Sequence, residues 1–203
     1  MKQPYLFAFI ASLAMLYSGV AGAEGNAEAG KAKAGTCMAC HGVDGNSANP
    51  EWPKLAGQHE GYTIAQLMAF QTGKRKNALM SPMAAGLSEQ DMADLAAWYA
   101  SQPAQPGKAD PELVSTGQRV YRGGNAARGV PACIACHGPR GAGNPLTGYP
   151  RLAGQHANYT YTQLKAYANL ERKSDKNQMM RNIADRMSDA DMRAVASYIQ
   201  GLR

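Results

Sequence analysis

CMACH, residues 37–41, returns as CIACH at residues 133–137. In a Cys-x-x-Cys-His segment the two thiols can bond to the vinyl groups of one heme, and the adjacent imidazole can bind its iron. The two segments contain all four cysteines of the chain, which are Cys37, Cys40, Cys133 and Cys136. With His41 and His137 as the iron-binding imidazoles, the pattern predicts two covalently bound heme c groups.

Two other uses of paired cysteines fit this chain less well. A zinc site takes four ligands around one ion, but here the cysteine pairs lie in different halves of the chain and each is directly followed by a histidine. A redox-active dithiol of the thioredoxin type accompanies a βαβ pattern, and this sequence has no β-rich run. Heme attachment is therefore the favoured interpretation of both segments.

The first 23 residues have the pattern of a secretory signal peptide. A basic start at Lys2 precedes an apolar run from about Leu6 to Val20, which ends in AGA at residues 21–23. A short apolar run closed by an Ala-x-Ala site is typical of a cleaved signal, whereas a spanning helix needs about 20 apolar residues. We therefore expect cleavage after residue 23 and export to the periplasm, with a retained membrane anchor as the alternative.

The second half of the chain repeats the first. PKLAGQH at residues 53–59 returns as PRLAGQH at 150–156, and LSEQDM at 87–92 returns as MSDADM at 187–192. A linker rich in proline and glutamine, QPAQPG, separates the halves. The repeat therefore predicts two homologous domains, and the expected segments are a signal peptide at 1–23, an N-terminal heme domain at 24–101, a linker at 102–109 and a C-terminal heme domain at 110–203.

Each domain is predicted to be helical. Ser88 has the character of an N-cap, with Asp91 at the third helical position, and Ser188 with Asp191 repeats this arrangement. Apolar residues at helical spacing predict further helices in each domain, with faces formed by Ile64, Leu67 and Met68 and by Tyr161, Leu164 and Tyr167, and with earlier helices at about 27–34 and 112–122. The fold class expected from the pattern is all-α.

A heme iron bound by one histidine needs a second axial ligand if it is to carry electrons without binding substrate. The chain offers eleven methionines and two further histidines, His59 and His156. A ligand that both domains need should occupy matching positions, and Met80 and Met180 do so, each seven residues before LSEQDM or MSDADM. Met80 and Met180 are thus the predicted ligands, and bis-histidine ligation through His59 and His156 is the alternative.

The motif histidines also need partners for their second ring nitrogen. An iron-binding histidine usually donates that N–H to a carbonyl or carboxylate, which fixes the orientation of its ring. Pro53 and Pro150 recur at the same place after each heme motif, so their carbonyl groups are the predicted acceptors. Other prolines nearby leave this assignment open.

With these motifs, the chain resembles the diheme cytochrome c4 family over nearly all of residues 24–203. Cys-x-x-Cys-His-Gly, Pro-x-Leu-Ala-Gly-Gln and a methionine ahead of Leu-Ser-x-x-Asp follow in the same order in both halves. The resemblance implies two tandem class I cytochrome c domains related by a pseudo-twofold axis, each wrapped around a covalent heme, with propionate edges facing across the interface. It also implies axial ligation by Met80 and Met180.

The resemblance further implies a periplasmic electron shuttle of the respiratory chain, soluble or loosely attached to the inner membrane. Its expected donor is a quinol-oxidising cytochrome complex or a small redox protein, and its expected acceptor is a terminal heme-copper oxidase. The alternatives are a diheme peroxidase, which needs one iron open to peroxide and acid–base residues above it, and a cytochrome subunit of a dehydrogenase.

Charge is unevenly divided along the chain. Residues 24–103 contain six basic and eight acidic residues, whereas residues 104–203 contain fourteen and seven. Such asymmetry can steer a partner to one end of a molecule, so we expect an acidic partner, or an anionic membrane surface, to engage the C-terminal domain. Nucleic acid is not an expected partner despite a pI near 9.2, because the chain is predicted to be exported and has no recognisable binding motif.

Overall fold

The computed structural model describes residues 24–203, so the predicted signal peptide lies outside the described residues. In this part of the chain the regular structure is α-helical, with two 3₁₀ turns and no strand. The N-terminal half contains α1 (Ala27–Lys33), α2 (Gly35–His41), α3 (Glu60–Gln71), α4 (Met80–Ala85) and α5 (Glu89–Ala100). The C-terminal half contains α6 (Pro111–Gly123), α7 (Ile134–His137), α8 (Ala157–Ala168), α9 (Met179–Ala184) and α10 (Asp189–Gly201).

The two halves follow the same plan of five helices. The first helix of each packs against the last, α1 against α5 and α6 against α10, and the middle helices α3 and α8 pack against the same last helices. None of the helices within residues 24–203 is long and apolar enough to cross a membrane. The all-α fold of two repeated domains is therefore as the sequence predicts.

The predicted cap of the last helix forms fully in one domain and partly in the other. Ser88 Oγ accepts from the Asp91 N–H at 3.1 Å, and Asp91 Oδ2 accepts from the Ser88 N–H at 3.0 Å, which completes a capping box. Ser188 Oγ likewise accepts from the Asp191 N–H. The Asp191 carboxylate instead accepts from Asn125 Nδ2 at 3.0 Å, so it ties α10 to the segment after α6.

Two glycines allow the terminal helices of each domain to cross closely. A Cβ atom at Gly30 would lie 1.9 Å from the Asp94 carbonyl oxygen, and one at Gly117 would lie 2.2 Å from the Ala194 carbonyl oxygen. Both glycines are buried. The two glycines occupy equivalent places in the repeat, and backbone of the partner helix fills the space that a side chain would take.

The middle helix of the N-terminal domain differs from the prediction in one respect. Ile64 and Leu67 are half-buried, but Met68 is 41% exposed. The residues that α3 buries are Thr63, Ala69 and Phe70. Met68 therefore lies on a part of α3 that the polypeptide itself does not cover.

The domains meet through two equivalent pairs of backbone contacts. The Gln58 side chain accepts from the Arg151 N–H at 2.9 Å and donates to the Arg151 carbonyl at 3.0 Å. Gln155, its counterpart in the repeat, makes the same two bonds with Lys54, both at 2.9 Å. Each glutamine side chain thus forms hydrogen bonds with the backbone N–H and carbonyl of one residue in the other domain. The interface therefore has the pseudo-twofold symmetry expected of tandem repeats.

The two histidines outside the heme motifs also bridge the domains. His59 Nε2 donates to the Ala142 carbonyl at 2.8 Å. His156 Nε2 lies 2.9 Å from both the carbonyl and the hydroxyl oxygen of Ser47. Each ring therefore uses its outer nitrogen to hold the opposite domain.

We expect Gly30→Ala to lower the free energy of unfolding of the holoprotein by at least about 2 kcal/mol, because the added methyl overlaps the backbone of α5. Gly61→Ala is the matched control, since Gly61 also lies in a helix but has open space around it, and alanine there should stabilise by up to about 1 kcal/mol. Guanidinium unfolding followed by circular dichroism measures both. Equal effects of the two substitutions would contradict the close crossing.

We expect the His156 contact to weaken in acid. Burial lowers the pKa of His156, and the Lys54 cation lowers it further, while the hydrogen bond to the Ser47 carbonyl opposes both. Since the unfolded chain then binds the proton more tightly, this contribution to stability is complete above about pH 6.5 and is lost as the pH falls through the folded-state pKa. Unfolding free energies measured between about pH 7.5 and about pH 5 should decline less in His156→Gln than in the parent protein. Identical slopes would show that His156 does not titrate with folding.

Candidate functional site

The two Cys-x-x-Cys-His segments form short helical turns. In α2, Cys37 and Cys40 lie one turn apart and His41 ends the helix, whereas in the C-terminal domain Cys133 caps α7 and His137 ends it. Among the described residues none of the four cysteines forms a disulfide, and all four are half-buried. Both histidines are buried. Each segment thus brings two thiols and one imidazole together on a single turn.

Each motif histidine is fixed through one ring nitrogen. His41 Nδ1 donates to the Pro53 carbonyl at 2.8 Å, and His137 Nδ1 donates to the Pro150 carbonyl at 3.0 Å. Nδ1 carries the proton in both rings because a carbonyl can only accept. Within residues 24–203 no hydrogen bond engages the Nε2 atoms, which leaves each one available to a metal.

The protonation state of these rings suits metal binding. Burial lowers the pKa of both His41 and His137, and the hydrogen bond to the proline carbonyl opposes this only in part. Both imidazoles are therefore neutral near pH 7, and the neutral ring is the form that binds a metal. The structure thus brings together, in each domain, the motif residues and the proline carbonyl that the sequence pointed to.

The candidate methionines begin equivalent short helices. Met80 is the first residue of α4, and Met180 is the second residue of α9; both are half-buried. Met180 packs against the C-terminal core together with Cys133, so the structure brings this pair into one apolar cluster. The N-terminal cluster includes Cys37 but not Met80.

The remaining histidines and several of the other methionines lie in positions that do not suit them as ligands. His59 and His156 hold the domain interface through the contacts described above, which leaves bis-histidine ligation without structural support. Met92, Met187 and Met192 are buried in the helical core, whereas Met83 is 52% exposed.

Two buried arginines face each other between the domains. Arg75 and Arg172 are 8% and 4% exposed, and their backbones form an isolated antiparallel bridge. Their guanidinium groups are shared among neutral oxygens of both domains, with Arg75 donating to Gln66, Tyr159 and Gln163 and Arg172 donating to Tyr62, Gln66, Gln163 and Ser174. Among residues 24–203 no carboxylate forms an ion pair with either one.

The arginine pair makes the interface electropositive. Burial would raise the pKa of Tyr159, yet the adjacent cations of Arg75 and Arg172 hold it below its usual value. Arg151, at the same interface, has a buried Nε without a hydrogen-bond partner among the described residues. Buried cations and an unsatisfied donor fit the two propionate carboxylates that each heme carries, because buried charges need a counter-charge.

The sequence contains a signal for some of the interface residues but not for the arginine pair. Gln58 and Gln155 lie in the repeated Leu-Ala-Gly-Gln segments, so their recurrence was a usable signal. Arg75 and Arg172 also recur, but four residues separate Arg75 from Met80 and seven separate Arg172 from Met180. Aligning the halves on the methionines therefore hid the arginine pair.

Comparison with known proteins agrees with this geometry. The cytochrome c family model matches residues 27–102 and again residues 114–203. Cytochrome c4 of Thiocapsa roseopersicina is 53% identical over 180 residues, which cover 88% of this chain and 93% of that protein. The crystal structure of reduced recombinant cytochrome c4 from Pseudomonas stutzeri is 46% identical, with a TM-score of 0.86, and the match covers 88% of this chain and all of that one.

A further relative is named for a different partner. The thiosulfate dehydrogenase electron acceptor of Stutzerimonas stutzeri is 40% identical over 167 residues, covering 80% of this chain and 76% of that protein. The identity with cytochrome c4 is higher and extends over more of both chains. Two domains of the cytochrome c type, each with a heme-attachment segment, and relatives of this similarity show that the chain belongs to the cytochrome c4 family of diheme electron carriers.

Proposed function

We propose that this protein is a periplasmic electron carrier of the respiratory chain that passes electrons toward a terminal heme-copper oxidase. The observation that carries the proposal is the pair of buried neutral imidazoles, each fixed at Nδ1 and unengaged at Nε2, with a methionine at the start of an equivalent helix in each domain. Iron closed on both sides exchanges electrons without binding substrate. The predicted signal peptide supports the periplasmic location, with loose association with the inner membrane.

The site residues have distinct roles in this proposal. The thiols of Cys37, Cys40, Cys133 and Cys136 anchor the hemes as thioethers. His41 and His137 bind iron through Nε2, and the carbonyl groups of Pro53 and Pro150 hold those rings in place. When bound, heme c supplies an iron that gains and loses one electron. Met80 and Met180 would supply the second protein ligand of each iron, and a thioether ligand would favour the ferrous state.

The interface arginines would hold the carboxylate side chains of the two hemes. Arg75 and Arg172 are already shared between domains, so propionates bound to them would be fixed near the pseudo-twofold axis. These arginines would thus supply the counter-charge for propionates of both hemes at the domain interface. We propose domain limits of 24–101 and 110–203 around this interface, with 102–109 as the linker.

The uneven charge of the chain suggests which end meets the partner. The excess of basic residues in 104–203 supports docking of an acidic partner or an anionic membrane surface on the C-terminal domain. The donor would then be a quinol-oxidising cytochrome complex or a small redox protein that meets the N-terminal domain.

A second function has support from one relative. Because a thiosulfate dehydrogenase electron acceptor is 40% identical to this chain, a dehydrogenase is the alternative electron donor. Both functions use the chain as a two-heme electron carrier and differ only in the protein that donates the electrons. The peroxidase alternative gains no support, since the relatives are electron carriers.

Replacing each proposed methionine ligand should open one iron only. Met80→Ala and Met180→Ala should each let one heme of the purified holoprotein bind carbon monoxide or cyanide and should shift one of the two waves in a redox titration to lower potential. The matched controls are Met83→Ala in α4 and Met179→Ala in α9, which should leave both waves unchanged. If a control variant bound carbon monoxide or cyanide and the corresponding Met80→Ala or Met180→Ala variant did not, the ligand would have to be reassigned to the control methionine.

Electron transfer to the acceptor should depend on ionic strength. If the basic C-terminal domain steers the encounter, the second-order rate of oxidation by a membrane preparation containing the oxidase should fall by about tenfold or more as the salt concentration rises from 0.01 M to about 0.2 M. Replacing the exposed basic residues Arg119 and Arg140 with glutamate should lower the rate at low salt, whereas the same change at Lys74 and Lys76 of the N-terminal domain should not. A rate independent of salt in the parent protein would contradict electrostatic docking.

A further inference from the structure

The segments that lead to the two proposed methionine ligands are built differently. In the N-terminal domain the segment from Arg75 to Met80 is short, and in the C-terminal domain the segment from Arg172 to Met180 is three residues longer. The arginines are equivalent at the interface and the methionines are equivalent in the short helices. The three additional residues must therefore be accommodated entirely in the chain that approaches Met180.

In the N-terminal domain a neutral amide holds the short segment. Asn77 Oδ1 accepts from the backbone N–H of Leu79 at 3.0 Å and of Met80 at 2.9 Å. The Asn77 N–H in turn donates to Ser81 Oγ at 3.2 Å. These local bonds start α4 directly at Met80 and need no charged group.

In the C-terminal domain a buried ion pair takes the same place. Asp175 Oδ1 accepts from Arg181 Nε at 2.7 Å, and Asp175 Oδ2 accepts from the Arg181 backbone N–H at 3.0 Å. The side chains of Asp175 and Arg181 are 3% and 17% exposed. Since Arg181 directly follows Met180, this pair closes a loop of which Met180 is the last member.

The closed loop contains strained backbone. Asn177 and Gln178 have φ angles of +52° and +59°, a region that residues with a Cβ atom adopt at a cost. Asparagine tolerates it better than glutamine does. No non-glycine residue described between 73 and 86 has a positive φ, so the strain belongs to the C-terminal loop. Such strain persists only where surrounding contacts fix the chain.

We propose that the Asp175–Arg181 ion pair is a positioning device that keeps the strained loop closed and thereby holds Met180 on the iron of the C-terminal heme. This inference rests on the proposed role of Met180 as a ligand. Its consequence is an asymmetry between two sites with the same ligands. The Met180–iron bond depends on a remote buried charge pair, whereas the Met80–iron bond depends on a neutral cap.

The test compares ligand exchange at the two hemes of the full holoprotein. Imidazole competes with methionine for ferric iron, and the strongly shifted methyl resonance of each bound methionine in the NMR spectrum of the oxidised protein reports on each heme separately. In Asp175→Asn we expect the affinity of the C-terminal heme for imidazole to rise by about ten- to a hundredfold, the range for loss of a buried charged hydrogen bond. The N-terminal heme should keep its parent affinity.

Three further variants separate the positioning role from general destabilisation. Arg181→Gln removes the same ion pair from its other side and should raise the imidazole affinity of the C-terminal heme in the same way. It also provides the test if Asp175→Asn folds poorly. Gln178→Gly removes the backbone strain and should return most of the lost methionine binding when combined with Asp175→Asn. Asn77→Ala is the matched change in the other domain, and its effect should be confined to the N-terminal heme.

The outcomes are distinguishable. Equal increases at both hemes, no increase at either, or no recovery with Gln178→Gly would overturn the positioning role. If the parent protein itself lacks the shifted methyl resonance of Met180, the proposed ligand assignment fails instead, whatever the variants do.

Discussion

The hydrogen bond from each motif histidine to a proline carbonyl is the interaction on which both heme sites depend. It fixes the ring, places the proton on Nδ1 and leaves Nε2 as the only nitrogen that can meet a metal. Burial keeps the ring neutral, so the ligand does not need to lose a proton. Proline suits the acceptor position because its φ is fixed and it has no N–H to donate. The cysteines of the same segment would then attach the porphyrin on the side of the imidazole that carries Nε2.

A second constraint acts between the domains. Burying a guanidinium without a counter-charge costs several kcal/mol, and this interface buries Arg75 and Arg172 together among neutral oxygens. The glutamine–backbone pairs fix the register of the two domains, but they cannot neutralise that charge. Propionates would do so, which means that docking of the domains and binding of the hemes favour each other. Two hemes in one chain would therefore share an electrostatic environment as well as a linker.

Much of this molecule could be predicted from the sequence, and the failures have physical causes. The Cys-x-x-Cys-His segments, the repeated cap at Ser88 and the helical spacing are local signals, so one sequence is enough to find them. His59 and His156 recur in the repeated segments, but recurrence alone does not show which distant residues a side chain contacts, which is why their interface roles were missed. Met68 shows a different limit, because spacing identifies an apolar face without showing which neighbour covers it.

The repeat keeps the proposed ligands and changes the contacts that hold them. In the N-terminal domain the partly exposed Lys33 joins α1 to Asp91 and Asp94 on α5, at a helix crossing where salt can screen the charge. In the C-terminal domain the buried pair lies directly beside Met180, where solvent ions have little access. An increase in ionic strength thus weakens exposed ion pairs of the scaffold, of which the C-terminal domain has its own between Asp189 and both Lys165 and Arg193. Loss of the buried Asp175 charge acts instead on the loop that leads to Met180. If Met80 and Met180 bind the two irons as proposed, the two sites have the same ligand residues and differ in how firmly each methionine is held.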